Sequence, residues 1–356
     1  MKITKIEALY PSYKASLPGW RPNLWQIIIR IHTDKKGIYG YGSGGGGKSS
    51  IEIINGHLSE FLINKEINDK SEIMTLFDKL FFESIPYGRS GVALMAISAL
   101  DLAIWDAFSK YYMIPIKNLL NDFKNHKKTI NTYATGNNVK QYYSLGIKNF
   151  KLSIKSNNNF ESESIKLIHL IKNIKKKYSN VNSIMIDCYM SWDRKYTEMM
   201  SDKLVDLDIK WIEDISTPDE MLIGESIIEK LNGIKLAGGE HDFNYNNFEI
   251  MHKNNVYDIW QPDITWCGGI SSLLKIIEIN NNKFNIILHR GGEPWGLPII
   301  QSGIVNNMAE LHNPSNANLD LEQWENKTIK NLEDGTLITN EYLGFGTEPK
   351  KDIFNE

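Results

Sequence analysis

Ionisable residues punctuate the second half of the chain, each closing or following a short apolar run. Asp187 ends Ser183-Ile184-Met185-Ile186, Glu213 ends Ile209-Lys210-Trp211-Ile212, and Glu240 follows the segment from Ile234 to Gly239. Asp263 follows Ile259-Trp260-Gln261-Pro262, and His289 follows Ile286-Ile287-Leu288. Three carboxylates on one face repel unless a cation lies among them, and oxygen-only ligands favour Mg2+ over zinc or copper. Asp187, Glu213 and Glu240 are therefore the candidate metal ligands. A carboxylate against the far ring nitrogen of an imidazole fixes its tautomer and raises its basicity, which makes His289 a candidate general base and Asp263 its orienting acid. Glu310, in Met308-Ala309-Glu310-Leu311, could hydrogen-bond a developing oxyanion. Taken singly, each of these residues is as readily a solvated strand end; the repeat argues for chemistry.

For these tips to meet, the elements that carry them must point the same way. A helical pattern separates each apolar run from the next, and parallel strands joined by crossover helices align their C-terminal ends. Strand spacing of roughly 25 residues, repeated about seven or eight times from Thr129 to Leu311, fits a (β/α) barrel better than a doubly wound sheet. The chain before it reads differently. Residues 1–10, Trp25–Ile31 and Gly37–Tyr41 form an antiparallel meander, followed by helices over Ser49–Leu62 and Ser90–Tyr112, the second apolar on most of its surface. Strands followed by helices make a separate α+β unit. The expected division is residues 1–125 for this unit and 126–325 for the barrel, with the polar tail 326–356 returning to the first unit.

Gly42-Ser43-Gly44-Gly45-Gly46-Gly47-Lys48-Ser49 satisfies the phosphate-binding pattern Gly-x4-Gly-Lys-Ser. That mechanism needs a parallel strand feeding the loop, whereas the strand here belongs to an antiparallel meander. A mobile glycine-rich loop and a lid beside the active site are the other readings.

Composition narrows the partners. The 356 residues are 42% hydrophobic and 23% charged, with net charge −3, as in a globular protein without general attraction to nucleic acid or anionic membrane. Two cysteines, Cys188 and Cys267, cannot build a disulfide framework and point to a reducing compartment. With neither a signal-like N-terminus nor an apolar run of about 20 residues, a cytoplasmic location is expected, with no nucleic-acid or membrane partner.

The motifs Ile186-Asp187-Cys188-Tyr189-Met190-Ser191, Trp211-Ile212-Glu213-Asp214, Gly239-Glu240-His241 and Gln261-Pro262-Asp263-Ile264-Thr265-Trp266-Cys267-Gly268-Gly269 resemble those of the enolase superfamily, mandelate racemase subgroup. Within it they are most similar to the L-rhamnonate dehydratases. Ala99-Leu100-Asp101-Leu102-Ala103-Ile104-Trp105-Asp106 and Tyr133-Ala134-Thr135-Gly136 extend the resemblance over most of the chain after about residue 40. The resemblance implies an α/β fold, a (β/α)7β modified TIM barrel under an N-terminal α+β capping domain. It also implies Mg2+ on Asp187, Glu213 and Glu240, proton abstraction α to a carboxylate by His289 paired with Asp263, and an enolate stabilised by Glu310. The substrate-facing set it suggests is Lys151, Arg21, Tyr189, His241 and Trp295, the partner a small sugar acid, and the assembly a homo-oligomer.

Two departures refine this. Racemases of the subgroup carry Lys-x-Lys at the second barrel strand, whereas here Lys151 is followed two residues on by Ser153. A site with one base cannot exchange protons on both faces of the substrate, so β-elimination of water fits better than racemisation or epimerisation, with His289 first taking the α-proton and then protonating the leaving 3-hydroxyl. The segment Arg290-Gly291-Gly292-Glu293-Pro294-Trp295-Gly296 is unlike the usual rhamnonate-type sequence, so a lyxonate, mannonate or related acid fits equally.

Overall fold

The computed structural model describes residues 1–11, 19, 21–121, 126–157, 159–312, 324–349 and 353–354. The chain starts with β1 (Ile3–Leu9), α1 (Arg21–Leu24), β2 (Ile27–Thr33), β3 (Tyr39–Gly44), α2 (Gly47–Gly56), α3 (Lys70–Ser84), α4 (Val92–Tyr112) and α5 (Ile116–Leu120). Strands β1, β2 and β3 form the expected antiparallel meander. Helix α3 is an addition to the sequence reading. Its N-cap Asp69 accepts from the amides of Ser71 (2.8 Å) and Glu72 (3.1 Å), while Glu72 reaches back to the Asn68 amide, a reciprocal cap written in Asp69-x-x-Glu72. Helix α4 is long and apolar enough to cross a membrane, but it is buried in the core.

The glycine-rich segment is neither a phosphate cradle nor a free loop. Gly40, Gly42 and Gly44 lie along β3 with their Cα atoms pressed on α4, facing Ala103, Ala99 and Met95 in turn. Two strand residues advance about 6.7 Å and one helix turn of four residues about 6 Å, so alternate glycines step down the helix in register. A side chain on any of them would meet the α4 backbone. The amides that would hold phosphate are spent on main-chain carbonyls: Gly46 donates to Leu24 (3.1 Å) and Gly47 to Trp25 (2.8 Å).

After α5 the parallel alternation runs β4 (Thr129–Thr135), α6 (Val139–Ser144), β5 (Asn149–Ser153), α7 (Phe160–Lys177), β6 (Ser183–Asp187), α8 (Arg194–Leu204), β7 (Ile209–Glu213), α9 (Pro218–Ile223), β8 (Lys235–Gly238), α10 (Tyr245–Asn254), β9 (Ile259–Trp260), α11 (Gly269–Asn280), β10 (Asn285–Ile286), α12 (Leu297–Ser302) and β11 (Met308–His312). Each strand from β4 to β10 pairs in parallel with the next, and β11 pairs in parallel with β4. A hydrogen bond from the Asn306 amide to the Ile286 carbonyl oxygen (2.9 Å) ties the remaining edge. This is the (β/α)7β barrel, with the meander and α2–α5 as its α+β cap.

The tail divides. Strands β12 (Trp324–Asn326), β13 (Ile329–Glu333), β14 (Thr336–Thr339) and β15 (Thr347–Pro349) follow the barrel. The β13–β14 hairpin adds antiparallel to β4 of the barrel. Gly344 and Phe345 reach the cap instead, donating their amides to Ser109 Oγ (2.8 Å) and Asp106 Oδ1 (2.9 Å) on α4.

Candidate active site at the barrel mouth

Inside the barrel, Tyr133, Met185, Trp211, Ala237, Ile259, Ile287 and Met308 pack as one buried apolar cluster, each from a different strand or the residue just after it. Lys151 of β5 places its ammonium 5.7 Å from the Tyr133 ring centroid. Side chains two apart on a strand share a face, so the inward residues one step beyond this layer are Thr135, Ser153, Asp187, Glu213, Gln261, His289 and Glu310. Glu240 stands one residue further, after Gly239 at φ 126. Alternation thus carries the polar tips directly from the core beneath them.

The base and its partner meet as expected. Nδ1 of His289 is 2.9 Å from Asp263 Oδ2 in a buried pair, and the other oxygen of Asp263 accepts from the Thr265 amide and hydroxyl, both at 2.7 Å. Burial works against the imidazolium, yet Glu240 and Asp263 hold His289 well above the usual histidine range. Burial alone would raise Asp263; the Arg290 guanidinium and His289 bring it below the usual carboxylate range.

The three candidate ligands share a rim but are differently engaged. The Asp187 Oδ1 atom accepts from the Tyr189 amide (3.0 Å). In Glu213, Oε1 contacts the Lys151 ammonium, and Oε2 takes the Trp211 indole N–H (2.9 Å) and the Gln261 amide (2.8 Å). Glu240 lies between two imidazoles, with His241 Nε2 at 3.0 Å and His289 Nε2 at 2.9 Å. Among the described residues, the groups drawn within 4.8 Å are Asp214–Glu240–His241 and His289–Glu310–His312, so Asp187 and Glu213 do not close on Glu240 to that extent. Burial pushes Asp187 up, and Glu240 adds to the rise; burial likewise takes Glu213 to about 7 against the pull of Lys151. Asp187, Glu213 and Glu240 offer an oxygen-only donor set, which suits a hard divalent cation.

Glu310 is fully enclosed. Its Oε1 accepts from Thr135 Oγ1 (2.5 Å) and Lys151 (2.7 Å), and its Oε2 from the Arg290 amide (2.8 Å). Although burial opposes ionisation, Lys151 and His312 hold it well below the usual carboxylate range. Lys151, 1% exposed, therefore bridges Glu213 and Glu310 inside the barrel mouth.

The other expected substrate contacts are dispersed. Tyr189 is 46% exposed beside Lys155, at φ 47. His241 is half-buried, its ring 5.9 Å from that of Trp266. The Trp295 ring is fully buried and packs edge-on against Phe345 at 5.0 Å. Arg21 begins α1, and its side chain lies outside the described residues. Residues the sequence reading missed are Thr135, Gln261, Arg290 and His312. The first two and His312 carry a detectable signal, because they continue the alternation of their strands. Arg290 sits at φ 54 after the last barrel-facing residue of β10, makes paired contacts to Glu293 (2.8 and 2.6 Å) and lies 5.4 Å from the Trp25 ring of the cap.

Comparison with known proteins follows the same division of the chain. Residues 23–121 match the mandelate racemase / muconate lactonizing enzyme N-terminal domain, and residues 134–353 match the enolase C-terminal domain-like family. An L-rhamnonate dehydratase of Saccharopolyspora erythraea is 29% identical over 294 residues, covering 81% of this chain and 73% of that protein. The 3,6-anhydro-D-galactonate cycloisomerase from Zobellia galactanivorans superposes with TM-score 0.80 at 25% identity, over 100% of this chain and 99% of that one. The rhamnonate dehydratase from Gibberella zeae complexed with Mg superposes with TM-score 0.82 at 21% identity, over 99% of this chain and 95% of that one, a likeness of fold.

Proposed function

The chain belongs to the mandelate racemase / muconate lactonizing enzyme family of the enolase superfamily, and from that premise we propose that it is a Mg2+-dependent hydro-lyase that dehydrates a sugar acid to a 2-keto-3-deoxy acid. The observation that carries the reading is the His289–Asp263 pair (2.9 Å), buried beside the candidate carboxylate ligands, with Ser153 rather than a second lysine two residues after Lys151. Asp187, Glu213 and Glu240 would hold the cation, Glu240 by turning from the imidazoles it now contacts. When bound, Mg2+ supplies Lewis-acid neutralisation of charge that builds on a substrate carboxylate.

The protein's own groups do the rest. Asp263, fixed by Thr265, holds the His289 ring by Nδ1, which leaves Nε2, now 2.9 Å from Glu240, to take the α-proton once Glu240 has turned away. Lys151, held between Glu213 and Glu310, supplies positive charge where negative charge develops; preorganised groups of this kind are worth most in a site closed to water. Ser153 is exposed, with its amide bound to Asn137 Oδ1 (3.1 Å), and it offers no second base at neutral pH. This supports elimination over racemisation. The nearness of curated L-rhamnonate dehydratases supports a 6-deoxyhexonate, and lyxonate or mannonate remain in the same chemical class.

An aldonate panel incubated with Mg2+ should yield a semicarbazide-reactive keto acid from at least one member. His289→Asn should lower that rate by at least about 10²-fold, and EDTA should abolish it. Full activity in the His289 variant would sink the assignment.

A further inference from the structure

Three histidines stand at the barrel mouth. His241 and His289 both lie against Glu240, whereas His312 lies against Glu310, with Nε2 3.0 Å from Oε1. Two residues past Glu310 on β11, His312 shares its face. Its ring centroid is 5.7 Å from that of His289, nearly perpendicular to it. Glu310 has little need of this contact, since Thr135, Lys151 and the Arg290 amide already bind it. Glu310 therefore anchors His312 rather than the reverse. The anchored ring is 46% exposed while His289 is 8% exposed, so it extends from the buried cluster towards the open mouth.

Dehydration, the reading this inference rests on, needs two proton movements: one off C2 and one onto the departing oxygen. Hydroxide leaves poorly at neutral pH, and a positioned acid contributes about 10²–10⁴-fold. The strand position where a second lysine would offer such a proton holds Ser153.

We propose that His312, in place of the His289 expected from the sequence, is the acid that protonates the departing hydroxyl, with His289 acting as the base. His289 takes the C2 proton, and the C–H electron pair passes into the enolised carboxylate. That pair then forms the C2–C3 double bond as the C3–O bond breaks, its electrons leaving with the oxygen. His312 gives that oxygen a proton, and water departs. The enol next gains a proton at C3 from His289 and loses its hydroxyl proton to His312. Both rings return to their starting charge, and the products are the 2-keto-3-deoxy acid and one water.

The test uses the full-length protein with Mg2+, the aldonate that the wild type dehydrates, and its 3-deoxy-3-fluoro analogue, whose leaving group requires no proton. His312→Asn and His312→Gln should each lower dehydration by at least about 10²-fold. Deuterium from solvent should still enter C2 of recovered substrate, and fluoride release should stay within about fivefold of wild type, which also reports an intact fold. Dehydration near the wild-type rate would remove His312 from the chemistry. Parallel loss of dehydration, exchange and fluoride release would reduce it to a support for Glu310 and His289; either result overturns the proposal. If the wild type dehydrates no aldonate, the dehydratase reading itself fails, whatever the variants do.

Discussion

Lys151→Met keeps the aliphatic stem of the side chain and deletes its ammonium. In the wild type that charge lies against Glu213 and, at 2.7 Å, Glu310, with all three side chains between 0% and 3% exposed. Removing one partner of a buried ion pair costs about 3–5 kcal/mol, much of it the penalty of the charge left behind. Here two carboxylates lose the same cation, and the escape is for one of them to take up a proton. Burial has already moved Glu213 up to about 7, so it is the acceptor. A carboxyl raised in the folded state keeps a proton that the unfolded chain has released, so stability falls as pH rises from the unfolded value to the folded one. The variant raises Glu213 further and widens that window upward. In metal-free protein it should therefore lose about 3–5 kcal/mol against wild type at pH 8 and much less at pH 5. With an unfolding entropy of about 2.1 cal/mol/K per residue, a chain of this length shifts about 1.3 °C per kcal/mol, so the midpoint should drop about 4–7 °C at pH 8. Scanning calorimetry in EDTA at both pH values measures this. Midpoints within about a degree of wild type at pH 8, or an equal loss at both pH values, would refute the reasoning.

Two further substitutions probe how the cap is seated. Gly42→Ala would place a methyl group 2.7 Å from the Ala103 nitrogen and closer still to the Ala99 carbonyl, forcing β3 off α4; urea denaturation should show a loss of about 1–3 kcal/mol or more, and an unchanged midpoint would mean the strand is not packed as described. Asp101 lies on α4 and accepts from the Ser271 amide (3.1 Å) and its hydroxyl at the start of α11; burial takes it to about 7 despite those bonds. Because the folded protein holds this proton up to about pH 7, the wild type should lose stability between pH 5 and 7, by about 2–3 kcal/mol from this group. Asp101→Asn removes the titration, and a wild-type-minus-variant difference that stays flat from pH 5 to 8 would contradict the burial argument.

The barrel and most of its rim were legible because one rule serves both. Met185 to Asp187, Trp211 to Glu213, Ile287 to His289 and Met308 to Glu310 are each one strand repeat apart, from apolar layer to polar tip. The same rule reaches His312, one repeat past Glu310, but an apolar run ending at Leu311 hides it. Glu240 is offset by Gly239 in a left-handed turn, which explains why it faces two imidazoles rather than closing with Asp187 and Glu213. Other features depend on partners remote in sequence. The glycines of β3 have meaning only against Ala99 and Ala103, and a run of four glycines read alone resembles a loop. Trp295 follows His289 closely in sequence, but the backbone reverses at Arg290, and nothing local shows that the ring ends against Phe345. The polar β13–β14 hairpin gains its strand character from the free edge of β4.

Asp106 has a consequence for the order in which the molecule can be completed. Its buried carboxylate accepts from the Tyr41 amide (2.8 Å), pairs with Lys110 (2.7 Å), and needs the Phe345 amide (2.9 Å) for its other oxygen. During vectorial synthesis, α4 leaves the ribosome long before Phe345 does. The cap must wait, with a half-satisfied carboxylate in its central helix, until the barrel has been made and the chain has returned. Domains ordinarily finish in the order they are translated; here a stretch translated after the barrel seals the first domain, and a nascent chain released before residue 345 lacks that seal.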